Sequence, residues 1–274
     1  MTYKTIAVHT EAGAANRVKL ALDLARRHDA TLIGVAAGMW RPPVALIGPD
    51  LGGFSADIIE SGREQVEVEL KSAAGEFRRL TECKDVKTEW RSVADFPHTA
   101  LCDAANAADL IVLGPLEPYT VGAEYRSANL GDVLIGAGRP LLVVPEGVSQ
   151  LKAQNIVVAW KNTREARRAI ADALPFMVQA SSVVLVQVRE RGEESETISD
   201  AKAFLARHGV NVRSEIRDLK ASTVEDELVQ YARGIDADLI VAGAYGRSRL
   251  REWVFGGVTR GLAAQRSIVC LLSH

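Results

Sequence analysis

The heptapeptide Ala108-Asp109-Leu110-Ile111-Val112-Leu113-Gly114 returns as Ala237-Asp238-Leu239-Ile240-Val241-Ala242-Gly243, with six of its seven positions identical. The two copies lie 129 residues apart in a chain of 274. Self-similarity at nearly half the chain length predicts one architecture used twice. The repeated unit is itself informative. A short, branched, apolar run closed by glycine reads as a strand buried on both faces, the type found in parallel sheets.

The flanks repeat in the same order. Thr5-Ile6-Ala7-Val8 predicts a strand, and Val18, Ala21, Leu22 and Ala25 line one face of the helix after it. Thr31 to Ala37 predicts a second strand, and a long irregular loop covers residues 38–54. Ser55 is placed to cap a helix running to about Leu80, Val86, Thr88 and Trp90 alternate as a strand does, and a helix covers about Pro97 to Ala107. The repeated strand, a glycine-bearing loop, a short helix and the strand Leu141–Val144 complete the half.

The second half matches it. Ile156 to Trp160 is its first strand. Thr163 caps a helix presenting Ala166, Ile170, Ala173 and Met177, which Pro175 is expected to bend. Val183–Val188 and Asn211–Arg217 are strands, and His208-Gly209 stops the helix between them. Ser222-Thr223-Val224-Glu225 has capping-box spacing before a helix through Leu228 and Tyr231. The repeated strand, a glycine loop, a helix and Ile268–Leu272 follow. Strands alternating with helices at this spacing predict right-handed crossovers. The expected fold is α/β, two tandem doubly wound (Rossmann-like) domains over residues 1–150 and 151–274. Each has a five-stranded, mostly parallel sheet, with ligands meeting the carboxyl ends of the strands.

The loop after the second copy carries the strongest chemical signal. Gly243-Ala244-Tyr245-Gly246 is followed, nine residues on, by Gly256-Gly257-Val258-Thr259 and a helical pattern. Glycine leaves no Cβ to block an anion, and backbone amides at a helix start favour negative charge. Thr259 adds a hydroxyl donor. This spacing is neither the dinucleotide fingerprint nor the Gly-Lys-Ser/Thr phosphate loop. Phosphate cradle and structural turn both fit it.

Composition restricts the partners. The apolar fraction is 47%, the charged fraction 25% and the net charge −2, so no basic footprint argues for nucleic acid or an anionic membrane. No apolar run approaches spanning length, and Lys4 to Glu11 holds no signal-peptide core, so the cytoplasm is expected. Cys83, Cys102 and Cys270 lack metal-ligand spacing and read as reduced thiols. The five histidines show no i, i+4 pairing, and His9 reads as a satisfied buried residue near the first cleft. Cys102 reads as inert packing, and Glu193, Glu194 and Glu196 as a solvated approach to a helix. No serine sits in a nucleophile elbow, so no catalytic residue, no metal site and no turnover are expected.

With these loops in place, the chain resembles the universal stress protein family in its tandem form, along nearly its whole length. Gly243-x-x-Gly246, nine residues, Gly256-Gly257-Val258-Thr259 looks like that family's ATP-binding signature, except that Gly257 stands where a Ser or Thr is usual. The family's aspartate at the tip of the first strand is replaced by Lys161 in the second half and Glu11 in the first. The resemblance implies a stress-response protein that holds ATP, ADP or AMP, with or without Mg²⁺, in the second half only. Gly243, Gly246, Arg247, Gly256, Gly257, Val258 and Thr259 would meet phosphates. Val188 would meet adenine, with Ala159, Trp160 and Lys161 at the first strand's tip.

In the first half, Pro115-Leu116-Glu117 and Asn129-Leu130-Gly131-Asp132 interrupt the signature, and Glu117 and Asp132 would oppose phosphates. The resemblance also implies an intramolecular pseudo-dimer through Leu141–Val144 and Ile268–Leu272, a homodimer being an open alternative, and a protein partner of unknown kind. A scaffold without nucleotide and a slow ATPase are the rival readings. Arg249 and Arg251 read as solvated, and Leu250, Trp253 and Val254 as core. The loop 38–54 reads as a lid, an oligomer contact or the cover of an interior defect.

Overall fold

The computed structural model describes residues 2–40, 56–82, 85–117, 125–189, 198–245 and 257–274, with side chains from residue 60 onward in the second stretch. The first half runs β1 (Thr5–His9), α1 (Ala15–His28), β2 (Thr31–Ala37), α2 (Ala56–Thr81), β3 (Thr88–Val93), α3 (Pro97–Ala104), β4 (Leu110–Leu113), α4 (Leu130–Gly136) and β5 (Leu141–Val143). The second half repeats this as β6 (Asn155–Ala159), α5 (Arg164–Met177), β7 (Ser182–Arg189), α6 (Ser199–Arg207), β8 (Val212–Asp218), α7 (Val224–Gly234), β9 (Leu239–Gly243), α8 (Gly257–Ala264) and β10 (Val269–Ser273).

The strands lie in the order β3-β2-β1-β4-β5-β10-β9-β6-β7-β8. Within each half all pairs are parallel, and β5 and β10 meet antiparallel with Leu142 opposite Leu271. The two five-stranded sheets thus continue into one ten-stranded sheet. Alternate strand residues supply its two faces: Ile156 and Val158 enter one apolar cluster with α1 and α5, and Val157 enters the other with α7 and α8. The outermost strands β3 and β8 carry charged residues such as Glu89, Arg91, Arg213 and Glu215, which blunt their open edges.

The aspartate of the repeated heptapeptide has a structural task in both halves. Asp109 accepts from the Lys4 and Thr5 amides at 2.7 and 3.0 Å. Asp238 accepts from the Gln154 and Asn155 amides at 3.0 and 3.4 Å. Each carboxylate ties the start of one central strand to its neighbour, which is why a charge survives beside so apolar a run.

Contacts on both faces join the halves. Tyr3 donates its hydroxyl to the Asp172 carbonyl at 2.7 Å, and its ring lies 5.3 Å from that of Phe176. On the other face the Leu116 amide donates to the Ala263 carbonyl at 2.8 Å, and Arg266 grips Glu117 at 2.9 Å.

Two local expectations change. The cap of α7 is Thr223, whose hydroxyl accepts from the Asp226 amide, so the motif is shifted one residue from Ser222–Glu225. The helix from Pro97 ends at Ala104; Pro175 falls in the last turn of α5. Ser55, Cys83, Glu193, Glu194 and Glu196 lie outside the described residues, as does all of the 38–54 loop beyond Trp40. Among the described residues no helix is long and apolar enough to cross a membrane, and no group of three metal-ligating side chains gathers.

Candidate functional site

Strand order reverses beside β1 in the first half and beside β6 in the second, which opens a crevice at the carboxyl ends of β1 and β4 and another at those of β6 and β9. In the second crevice Ala159 ends β6, Val188 lies near the end of β7, and Tyr245 follows β9. All three pack with Val258 of α8 against the same apolar cluster, on one side of the sheet. Trp160 goes the other way. Its ring is buried in the opposite cluster beside α5, with the indole Nε1 lacking a hydrogen-bond partner, so at this tip it contributes backbone. Its amide donates to the Val186 carbonyl at 2.8 Å, and Lys161 beyond it is exposed.

Gly243 is required by packing. A Cβ there would stand 2.4 Å from the Ala166 nitrogen and 2.5 Å from the Glu165 carbonyl carbon, so the start of α5 comes up against the bare backbone of β9. The first turn of α5 is closed by Thr163, which accepts from the Ala166 amide at 3.2 Å. Across the loop, Gly257 opens α8 with nothing among the described residues within 4 Å of where its Cβ would be. Thr259, 5% exposed, accepts from the Tyr245 amide at 3.4 Å. The two ends of the glycine loop are therefore held together by a buried hydroxyl. Tyr245 has φ +62° and its phenol is pushed up to about 12, first by burial and then by Asp132 of the other half. Gly246, Arg247, Arg249, Leu250, Arg251, Trp253, Val254 and Gly256 lie outside the described residues.

The first crevice is built differently. The guanidinium of Arg17 lies over Gly114, where a Cβ would come within 2.4 Å of its Nη1. Its Nε donates to the His9 carbonyl at 3.0 Å and its Nη2 to Glu11 at 2.9 Å. Asn129 caps α4, accepting from the Gly131 and Asp132 amides at 3.0 and 3.4 Å. Amides that could face a phosphate are thus already occupied, a stronger obstacle than the charge of Glu117, which Arg266 neutralises. His9 corrects the expectation of a satisfied buried residue, since it is 1% exposed and its Nε2 has no partner among the described residues. Cys102 is half-buried, its Sγ 2.9 Å from where a Gly136 Cβ would stand, and burial raises its thiol pKa.

Sequence reasoning passed over Arg17, Asn129 and Arg260. Arg17 lies within a regular helical pattern. Asn129 carried a legible signal, a cap residue directly before Leu130, where a helix could begin.

A sequence profile of the universal stress protein family matches residues 152–272. A universal stress protein of Synechocystis sp. is 23% identical over 172 residues, 60% of this chain and 57% of that protein. The chain therefore spans little more than half of that relative's length. Among solved structures, a universal stress protein from Archaeoglobus fulgidus is similar with a TM-score of 0.67 and 15% identity, covering 98% of this chain and 95% of that one. A functionally unknown protein from Pseudomonas aeruginosa is similar with a TM-score of 0.57 and 16% identity, covering 99% and 92%. At these identities the two structures establish the fold along the whole chain. Residues 152–272 thus match the universal stress protein family, and the preceding half repeats the same fold, so the chain is similar to universal stress proteins in a tandem form.

Proposed function

We propose that the second half, residues 151–274, binds ATP or a related adenine nucleotide, with or without Mg²⁺, and that the first half, residues 1–150, does not. The observation that carries this reading is the tie between Thr259 and the Tyr245 amide, which sets the two ends of the glycine loop against the start of α8. An accepting hydroxyl keeps its own proton to donate, so Thr259 remains able to serve a phosphate. The open space at Gly257 leaves the first turn of α8 accessible to an anion. Ala159, Val188, Tyr245 and Val258 supply an apolar flank for the base, and Lys161, exposed just beyond the β6 tip, is the side chain assigned to ribose or phosphate. On this reading Gly243, Gly246, Arg247 and Gly256 would serve phosphate, with the Trp160 backbone at the tip of β6. Occupancy is passed to a protein partner without chemical turnover, in the cytoplasm as the expected compartment.

Calorimetric titration of the intact protein with ATP, ADP and AMP tests this. Saturable heat that disappears in Gly256→Val is expected, and no heat from the intact protein overturns it. The replacement of the usual hydroxyl by Gly257 and of the usual carboxylate by Lys161 favours one alternative, a scaffold working by protein contact alone. A partner co-purifying with nucleotide-free protein, together with a silent titration, would select it.

A further inference from the structure

The crevice of the first half holds a cavity of about 730 Å³. Its wall includes the tip of β1, the start of α1, the segment after β4 and, from the other half, Arg260 of α8. The volume is in the range of small-molecule sites. No side chain caps α1, so its first amides and dipole face this space unopposed, with Asn16 beside them. Independently of that helix start, the buried His9 lines the same cavity with its Nε2 unpartnered.

The charges set what can enter. Glu11, Glu117 and Glu146 line the cavity with Arg17 and Arg260. Arg17 pairs with Glu11, while Arg266 pairs with both Glu117 and Glu146. Counting Arg266, three carboxylates meet three guanidiniums, and Arg260 makes no ion pair among the described residues. A balanced site with one uncommitted cation accommodates one negative charge, and the several charges of a nucleotide would exceed it. Burial lowers the His9 pKa to about 4, so the imidazole is neutral near pH 7. Its Nδ1 lies 3.6 Å from the Glu11 carboxylate, which favours the proton on Nδ1 and leaves Nε2 an acceptor. An acceptor with no partner calls for a donor on the ligand.

We propose that this cavity is a second ligand site, for a polyhydroxylated monocarboxylate of sugar-acid size, its carboxylate at the start of α1 and Arg260 and a hydroxyl on His9. The site is completed only by the other half, because α8 brings Arg260 across.

Gluconate, glucose and glucarate are matched in size and carry zero to two negative charges, so ligand-observed NMR on the intact protein with these three and AMP separates charge from shape. Gluconate is expected to bind best. Asn16→Asp keeps the side-chain size and suits a helix start, yet sets a carboxylate against the ligand. It should weaken gluconate about tenfold while thermal unfolding stays as in the parent. Arg260→Gln should weaken it by about the same factor. Equal binding of gluconate, glucose and glucarate, tighter binding of AMP at these residues, no gluconate binding, or indifference to Arg260→Gln each overturns the proposal. ATP titration of the second half proceeds independently, so failure of one reading does not disguise failure of the other.

Discussion

The Tyr245 amide donates to the Thr259 hydroxyl over 3.4 Å, joining the tip of β9 to the first turn of α8. The first half has no counterpart. Cys270 pairs with Ile240 as Leu141 pairs with Ile111, so the repeat spacing of 129 places Leu130 where Thr259 stands. Both side chains are buried, and only one can hold a loop by hydrogen bonding. This one difference separates the loop that keeps a buried tie from the one that has lost it.

Thr259→Val preserves shape and removes the acceptor. We predict an ATP affinity lower by about tenfold and a stability lower by about 1 kcal/mol, with Thr259→Ser close to the parent. Calorimetry and urea unfolding measure the two effects. Unchanged affinity would separate Thr259 from the nucleotide.

Two glycines at matching places should respond differently to alanine. At Gly243 the new methyl meets the Glu165–Ala166 peptide of α5, so a helix must shift and the expected cost is about 2 kcal/mol. At Gly114 it meets the end of the Arg17 side chain, which can swing aside, so the cost should stay below about 1 kcal/mol. Urea midpoints of Gly243→Ala and Gly114→Ala decide this.

Gly257→Ser restores the hydroxyl usual at that place. With nothing among the described residues within 4 Å of the new Cβ, no steric penalty is expected, and losing a helical glycine should add about 0.5 kcal/mol. ATP should bind roughly threefold or more tighter. A parallel titration of parent and variant checks it; a loss of affinity would mean that phosphates need the bare backbone here.

Acid should act through His9 before it reaches most carboxylates. Burial depresses its folded pKa to about 4, below the ordinary 6.5, so the unfolded chain binds the proton more readily between these values. Its contribution is complete above about pH 6.5 and is lost as pH falls toward 4, amounting to roughly 3 kcal/mol in all. His28 is shifted in the same direction, also by burial. Glu165, Glu215 and Glu227, held below the ordinary carboxylate value, lose their contributions at still lower pH. Denaturant unfolding from pH 7.5 to 4.5 should therefore show a steeper decline in the parent than in His9→Gln. Equal slopes would place the lost stability elsewhere.

The periodicity of the chain was enough to determine the architecture. Six shared positions in two heptapeptides, with matching flanks, announce parallel strands and a duplication because burial on both faces demands continuous apolar runs at fixed intervals. Glycine positions were legible for the same reason, since a missing Cβ is a local property. What only the tertiary structure decided is who fills the space those glycines leave. At Gly243 it is the α5 backbone, at Gly114 the Arg17 guanidinium, and Arg260 arrives in the first crevice from the opposite half. None of these follows from spacing, because each depends on elements brought together across the sheet, where side-chain reach and charge balance replace periodicity as the deciding physics.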